Sequence, residues 1–162
     1  MGAKIQQYSG LCIERARPED LDVIMRIEQA SFTMPWTRKM FEVELCHNPF
    51  GRLEVLRRHG EAGRPLGGYV CYWVVFEECR LMTLAVDPSV RRQGHGRTLL
   101  RHAMERGCEA GAMRGLLEVR ASNAVAIQLY EQEGFRRTAV RTRYYTSPVE
   151  DAVLMERTLA SS

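Results

Sequence analysis

The sequence lacks the cysteine patterns that define metal-binding and disulfide-stapled proteins. Its five cysteines never occur as Cys-x-x-Cys pairs, nor beside two histidines at the spacing of a zinc site. An odd number of scattered cysteines also argues against a disulfide framework. We therefore expect no metal and reduced, mostly buried thiols at Cys12, Cys46, Cys71, Cys79 and Cys108.

An excess of charge of one sign is also missing, as is a long hydrophobic run. The 23 Lys and Arg residues against 20 Asp and Glu give a net charge of +3, far from the basic excess that binds nucleic acid through its phosphates. The longest apolar run, residues 66–76, is about half of the ~20 residues that a membrane span needs. Residues 1–10 lack the apolar centre of a secretory signal. We expect a cytoplasmic protein without direct nucleic-acid or membrane partners.

The order of predicted helices and strands indicates the fold class. The 162 residues suffice for one core, and no repeat or linker divides them. Helix and strand patterns alternate so as to predict a single α/β domain over residues 1–162, with helices flanking a mixed sheet. Gly60, Gly63 and Pro65 should join the second and third strands as an antiparallel hairpin. The predicted strands are 11–17, 53–58, 68–76, 80–86, 116–119, 135–145 and 152–158, and the predicted helices are 18–30, 37–46, 96–110 and 124–133.

A glycine-containing loop lies between the strand that ends at Val86 and the helix that follows Gly96. A strand, a glycine loop and a helix form the arrangement in which main-chain N–H groups hold an anion. The loop lacks the third glycine of a dinucleotide-binding fingerprint and the Gly-Lys-Ser/Thr of a P-loop. A plain structural turn is the alternative interpretation. The loop residues are Arg91, Arg92, Gln93, Gly94, His95, Gly96 and Arg97.

This loop resembles the acetyl-CoA segment of the GNAT family of N-acetyltransferases, in which an arginine is followed three and five residues later by glycines. Here the pattern comes directly after Leu84-Ala85-Val86-Asp87-Pro88, and the order of elements is similar too. The resemblance implies a GNAT fold, whose mixed and mostly antiparallel sheet is splayed at an acetyl-CoA cleft. It also implies cofactor contacts from Leu84, Ala85, Val86, the seven loop residues 91–97 and Asn123.

Two residues are candidates for proton transfer. Glu118 lies near the end of a predicted strand, where a carboxylate can take a proton from an amine directly or through water. Tyr130 lies seven residues after Asn123, on the same predicted helix face. A tyrosine hydroxyl with a pKa of about 10 can protonate a thiolate whose conjugate acid has a pKa near 8.5. The alternatives are a core tyrosine and a surface glutamate that is solvated or paired with a nearby arginine, Arg120 or Arg114.

The string from Glu118 to Asn123, with Pro35-Trp36 and Tyr144-Tyr145, resembles the GNAT members that acetylate the N-terminal alanine of a ribosomal protein. The resemblance implies that Glu118 is the general base and Tyr130 the general acid. It implies a substrate-binding role for Trp36, Tyr144 and Tyr145, and as partner the N-terminal peptide of small-subunit ribosomal protein eighteen. It leaves the oligomeric state undetermined.

Some alternatives stay open. An α-amine with a pKa near 8 costs about 1.4 kcal/mol to neutralise at pH 7, and a lysine over 4 kcal/mol. This favours an N-terminal acceptor, with a lysine, a small-molecule amine or a non-catalytic CoA-binding role as alternatives. Trp36 either lines the peptide groove or anchors its loop to the core. His95 replaces an apolar residue common in the family, and its simplest placement is in solvent.

Overall fold

The computed structural model describes residues 6–8, 10–58 and 66–159. The turn predicted at Gly60, Gly63 and Pro65 lies outside these residues, as do residues 1–5 and 9 of the N-terminal segment. Within the described residues, no helix is both long and apolar enough to cross a membrane.

The observed elements follow the predicted order. The described residues contain eight strands and four α-helices, of which the short strand β1 is the one element that was not predicted. Pro18, predicted to open the first helix, begins a 3-10 turn over Pro18–Asp20, which leads directly into α1. The elements are β1 (Gln6–Tyr8), β2 (Leu11–Arg15), α1 (Leu21–Ser31), α2 (Arg38–Cys46), β3 (Gly51–Arg58), β4 (Leu66–Val75), β5 (Glu78–Val86), α3 (His95–Glu109), β6 (Arg114–Arg120), α4 (Ala124–Gln132), β7 (Arg136–Thr146) and β8 (Val149–Thr158).

The chain divides into two compact units. The first unit comprises the chain up to Tyr72 together with Thr83–Leu100. The second comprises Trp73–Met82 and the chain from Arg101 onward. Strands β4 and β5 and helix α3 each contribute residues to both units.

In the first unit the strand order is β1-β2-β3-β4-β5. β2 pairs antiparallel with both β1 and β3. Helix α1 turns Leu21, Ile24, Ile27 and Glu28 inward at helical spacing, so that its apolar stripe packs into the core. Glu28 is the one charged member of that buried face.

In the second unit the strand order is β5-β6-β8-β7. β6 runs parallel to β5 over three residue pairs, a ladder that ends at Arg80 and Leu116 before either strand ends. β6 also pairs antiparallel with β8 over seven residues, and β8 pairs antiparallel with β7. These ladders confirm the predicted mixed and mostly antiparallel sheet.

The expectation of mostly buried thiols is confirmed, since three of the five cysteines are buried. Cys12, Cys71 and Cys79 are buried, Cys108 is half-buried and Cys46 is exposed.

Candidate functional site

The glycine loop of the first unit begins at a capped turn. Asp87 follows β5 and caps the 3-10 turn Pro88–Val90, where its Oδ1 accepts the Ser89 N–H at 2.9 Å and the Ser89 hydroxyl at 2.7 Å. The Arg26 guanidinium donates to Asp87 Oδ2 at 3.1 Å. The hydrogen bonds from Ser89 and the Arg26 charge lower the pKa of Asp87 below its usual value. The carboxylate therefore stays ionised and holds the entry to the loop.

The main chain of the loop has the shape of an anion-binding site. Arg92 and Gly94 have φ values of +62° and +80°, and left-handed residues at a loop turn successive N–H groups toward one concave side. Helix α3 begins directly afterwards at His95, and the first N–H groups of a helix have no acceptor within it. A negative group is favoured at this positive end of the helix dipole. The loop can therefore hold an anionic group such as a phosphate.

The requirement for glycine at position 94 comes from backbone conformation. A Cβ atom at Gly94 would meet no heavy atom within 4 Å, so crowding does not explain the residue. Its φ of +80° is a region that L residues with side chains avoid. The Thr98 N–H and the Thr98 hydroxyl both donate to Gly94 O at 3.0 Å, which closes the first turn of α3.

The side chain of Arg91 is fixed from two sides. Its Nε donates to Val86 O at 3.2 Å, and its Nη2 donates to Ser31 Oγ at 3.0 Å. These bonds join the loop to the end of β5 and to the end of α1. Arg91 itself is exposed, so the charge of its guanidinium remains accessible to an anionic ligand.

The expectation that His95 points to solvent is wrong. His95 is only 7% exposed, because its imidazole packs beside Gly67 of β4. Helix α3 begins at His95, one residue earlier than predicted. Burial, aided by the charge of Arg58, lowers the pKa of His95. Among the described residues, His95 Nδ1 is the one buried side-chain nitrogen or oxygen without a hydrogen-bond partner.

The strand that leads to the loop has the expected alternation. Ala85 is buried, whereas Leu84 and Val86 are half-buried. A Cβ atom at Gly68 would lie 2.6 Å from Ala85 O. Glycine at position 68 therefore allows β4 to approach this part of β5 closely.

Trp36, the predicted substrate-side residue of the first unit, is half-buried. Its ring lies 5.2 Å from the ring of Phe41, a fully buried core residue. This contact supports the anchoring interpretation of Trp36. Its predicted contact with a peptide stays a prediction.

In the second unit, Glu118 lies on the accessible face of β6. Its neighbours Leu117 and Val119 are buried, and strand alternation turns the Glu118 side chain the other way. Glu118 Oε1 lies 3.3 Å from Arg141 Nη1, and the Glu118 side chain is 32% exposed. The alternative pairing with Arg120 or Arg114 is wrong, because these arginines pair with Glu150 and with Glu78 and Glu156 respectively.

Register explains the unexpected pairing. Glu118 is opposite Leu154 of β8, and Arg141 of β7 is opposite Ala152, two residues along β8. Residues that are directly opposite in a ladder, or two apart on one strand, share a face. Glu118 and Arg141 therefore reach each other across β8. The sequence shows an arginine at 141 and gives no signal of this register.

An irregularity in β7 places the two predicted substrate-side tyrosines. The register shifts between Arg141 and Tyr145, and Arg143 has a φ of +54°. The rings of Tyr144 and Tyr145 meet edge to face at 5.2 Å. The Arg120 guanidinium lies 4.1 Å from the Tyr145 ring centre, and that of Arg141 lies 5.5 Å from the Tyr144 ring centre.

Tyr130 lies on α4, which begins at the cap residue Asn123. Asn123 Oδ1 accepts the Ala126 N–H at 3.2 Å, so the side-chain NH₂ is the group with which Asn123 would contact a cofactor. Burial, with a smaller effect of Tyr145, raises the pKa of Tyr130 to about 12. Burial also raises the pKa of Tyr145, and the Glu118 carboxylate acts in the same direction. The second unit thus brings Glu118, Tyr130, Tyr144 and Tyr145 into one neighbourhood.

A metal site would need several ligating side chains close together. Over residues 6–8, 10–58 and 66–159, no group of three or more His, Cys, Asp or Glu side chains is arranged to hold a metal ion.

Comparison with known proteins identifies the family. The sequence profile of the Acetyltransferase (GNAT) family matches residues 21–135. The chain is 37% identical over 138 residues to the [Ribosomal protein bS18]-alanine N-acetyltransferase of Escherichia coli (strain K12), covering 84% of this chain and 89% of that protein. It is 36% identical over 140 residues to the protein of the same name from Salmonella typhimurium (strain LT2), with the same coverage.

The fold comparison agrees with the sequence comparison. The crystal structure of the ribosomal-protein-S18-alanine N-acetyltransferase from Escherichia coli superposes with a TM-score of 0.82 at 34% identity, covering 94% of this chain and 96% of that one. The predicted GNAT fold and the predicted resemblance are confirmed. The chain belongs to the acetyltransferase (GNAT) family of enzymes.

Proposed function

We propose that the chain transfers an acetyl group from acetyl-CoA to the N-terminal alanine of ribosomal protein bS18. The support for this acceptor is the pair of relatives at 36% and 37% identity, which carry that activity in their names and are covered over 89% of their length. The substrate would be the extended N-terminal peptide of the ribosomal protein, and the reaction would take place in the cytoplasm.

The observation that carries the enzymatic part of the proposal is the loop geometry of the first unit. Left-handed residues at 92 and 94, followed at once by the fifteen-residue helix α3, supply main-chain N–H groups for a pyrophosphate. The loop residues 91–97 would bind it, with Leu84, Ala85 and Val86 offering main-chain groups to the pantetheine arm and Asn123 adding a contact. Acetyl-CoA supplies an activated thioester, whose acyl carbon is attacked by an amine.

Glu118 would act as the general base. An α-amine with a pKa near 8 is mostly protonated at pH 7, so it must lose a proton before it can attack. A positioned base contributes about 10² to 10⁴ in rate. Because its Arg141 partner is exposed by more than half and Glu118 by about a third, the ion pair is weak, and the carboxylate can exchange Arg141 for the cationic amine of the acceptor.

Tyr130 would assist the leaving thiolate as a hydrogen-bond donor, rather than as the general acid that the family resemblance implies. With a pKa of about 12, its hydroxyl keeps its proton throughout the physiological range and is available as a hydrogen-bond donor. Trp36, Tyr144 and Tyr145 would contact the acceptor peptide. The exposed ring of Tyr144 and the half-buried ring of Tyr145 suit such contacts, since aromatic rings give a large contact area at little entropic cost.

Incubation of the protein with acetyl-CoA and a synthetic peptide tests the proposal. The peptide begins with the bS18 N terminus and carries one internal lysine, and tandem mass spectrometry locates the added acetyl group. We expect acetylation of the alanine α-amine, and none of a control peptide whose N terminus is already blocked. Transfer to lysine alone, or to a small polyamine alone, would refute the N-terminal assignment, and binding of CoA without transfer would refute catalysis.

A further inference from the structure

A buried carboxylate holds the main chain of Trp36. Glu28 on α1 is only 1% exposed, yet the proposed reaction makes no use of it. Its Oε1 accepts the Trp36 N–H at 3.0 Å. Its Oε2 accepts hydrogen bonds from the hydroxyls of Tyr69 and Thr83, the latter at 3.3 Å. Three donors from three separate parts of the first unit therefore converge on one side chain.

The side chain of Trp36 is connected to the same carboxylate by ring contacts. The Trp36 ring lies 5.2 Å from the Phe41 ring, which meets the Tyr69 ring edge to face at 5.6 Å. The hydroxyl of Tyr69 then donates to Glu28. Glu28, Trp36, Phe41 and Tyr69 thus form a closed circuit, which we call the Trp36 circuit. Both the backbone and the ring of Trp36 are fixed by it.

The segment that carries Trp36 depends on this support. Residues 32–37 connect α1 to α2 without regular structure. Their two ends are held by helix caps, because Phe32 N–H donates to Glu28 O at 3.1 Å and Thr37 Oγ1 accepts the Met40 N–H at 3.3 Å. Between these two caps, the Trp36 N–H bond to Glu28 and the Trp36–Phe41 ring contact attach the segment to the core. A buried carboxylate is costly unless it is well hydrogen-bonded, so its presence here calls for a role.

We propose that Glu28 is a positioning residue that, through the Trp36 main-chain N–H and the Trp36 circuit, fixes the conformation of residues 32–37 and so presents Trp36 to the acceptor peptide. The presentation to a peptide rests on the proposed function. The fixing of residues 32–37 by Glu28 is a property of the first unit alone.

The ionisation of Glu28 gives the positioning a pH dependence. Burial raises its pKa to about 7, against the smaller opposing effects of the Trp36 and Thr83 hydrogen bonds. The titratable groups around it are Tyr69 and Cys71 on β4, with Glu44 of α2 acting on the same Cys71 thiol. Burial and these carboxylates raise the pKa of Cys71, which stays neutral. Protonation of Glu28 weakens it as an acceptor, because a charged acceptor forms the stronger hydrogen bond. Residues 32–37 are therefore held more tightly above pH 7 than below it.

The fluorescence of Trp36 reports this directly, without any enzymatic assay. The chain has two tryptophans, so Trp73→Phe leaves Trp36 as the single tryptophan, which can be excited selectively. We expect its emission and its quenching by acrylamide to change with a midpoint near pH 7. Glu28→Gln keeps an acceptor oxygen but cannot ionise, and should abolish the transition. Glu44 is a second buried glutamate, whose Oε2 accepts a hydrogen bond from the Asn48 side chain at 2.9 Å. Glu44→Gln is therefore the matched control and should retain the pH transition.

Steady-state kinetics test the role in acceptor binding. The loss of a hydrogen bond to a charged group corresponds to about 10-fold or more in affinity. In Glu28→Leu we expect KM for the acceptor peptide to rise by about that factor, with KM for acetyl-CoA unchanged. If the leucine variant does not fold, Glu28→Gln measured at pH 8 takes its place, with a smaller rise in the same constant.

The outcomes separate the two proposals. A Trp36 transition that persists in Glu28→Gln, or a wild-type emission that is constant from pH 5.5 to 8.5, overturns the role of Glu28. So does an equal rise of both KM values, which would indicate general loosening. If the bS18 peptide is not acetylated at all, the proposed function fails, and the fluorescence of the Glu28 variants still decides whether Glu28 fixes residues 32–37.

Discussion

Replacement of Tyr130 by phenylalanine removes the hydroxyl that is proposed to assist the leaving thiolate and keeps the ring. The phenylalanine can retain the edge-to-face contact with Phe135, whose ring centre is 6.0 Å away. We therefore expect a folded variant with unchanged affinity for CoA and a lower kcat.

The pKa of Tyr130 sets the size of the effect. It is about 12, whereas a thiol has a pKa near 8.5, so full proton transfer from Tyr130 to a thiolate would be unfavourable by about 5 kcal/mol. Tyr130 should instead donate a hydrogen bond and keep its proton. A hydrogen bond to a charged group contributes about 1.5–3 kcal/mol, and kcat in Tyr130→Phe should fall by about 10- to 150-fold.

The assay combines kcat from pH 6 to pH 10 with calorimetry of CoA binding. Tyr72→Phe is the matched control, because the buried Tyr72 hydroxyl donates to Glu54 at 2.8 Å and lies outside the proposed machinery. This control should lose stability and keep its kcat. Wild-type turnover in Tyr130→Phe would refute the argument. A loss of wild-type activity near pH 9 to 10 that disappears in Tyr130→Phe would show a Tyr130 that ionises normally, and would refute it as well.

Three further predictions follow from individual residues. Glu118→Gln should lower the rate by about 10² to 10⁴, mainly below the pKa of the acceptor amine, with CoA binding intact by calorimetry; an unaltered pH–rate profile would exclude Glu118 as the base. Gly94→Ala, at a φ of +80°, should weaken CoA binding, whereas Gly111→Ala, at a φ of +99° and with equally open surroundings, should cost stability only; equal CoA affinities in the two variants would contradict the loop assignment. The raised pKa of Glu28, from 4.5 to about 7, means that the folded state holds this proton more tightly than the unfolded one. Its contribution of about 3 kcal/mol to the free energy of unfolding is complete below about pH 4.5 and is lost as the pH rises through 7. Denaturant titrations at pH 5 and pH 8 should show that loss in the wild type and not in Glu28→Gln, and equal losses would refute it.

Local patterns were sufficient to predict most helices and strands. The apolar spacing of α1 and the alternation in β6 are visible over a few residues, because the buried face of each element repeats with the period of its backbone. The short strand β1 was not predicted, because its three residues carry too little pattern of their own and form a strand by pairing with β2. Helix α3 begins one residue earlier than predicted, at His95. His95 is buried because its imidazole packs beside Gly67 of β4, a contact between segments that are far apart in the sequence.

The acid and base candidates were predicted from one continuous string, whereas their surroundings were not. The pairing of Glu118 with Arg141 needs the register of two ladders through β8, and no local pattern encodes a register across three strands. The raised pKa of Tyr130 likewise depends on what buries it. The Trp36 circuit was not predicted. Glu28 occupies a core position in the helical pattern of α1, but a charged side chain is normally expected at the surface.

The sequence by itself determined the order of elements, the position of the glycine loop and the family, because each of these depends on contiguous residues whose chemistry acts on the neighbouring backbone. Only the tertiary structure decided which arginine meets Glu118, where His95 and Glu28 are buried, and how far the Tyr130 hydroxyl is from its ordinary acidity. Those properties arise from desolvation and from contacts between distant segments, and both come into existence only when the chain has folded.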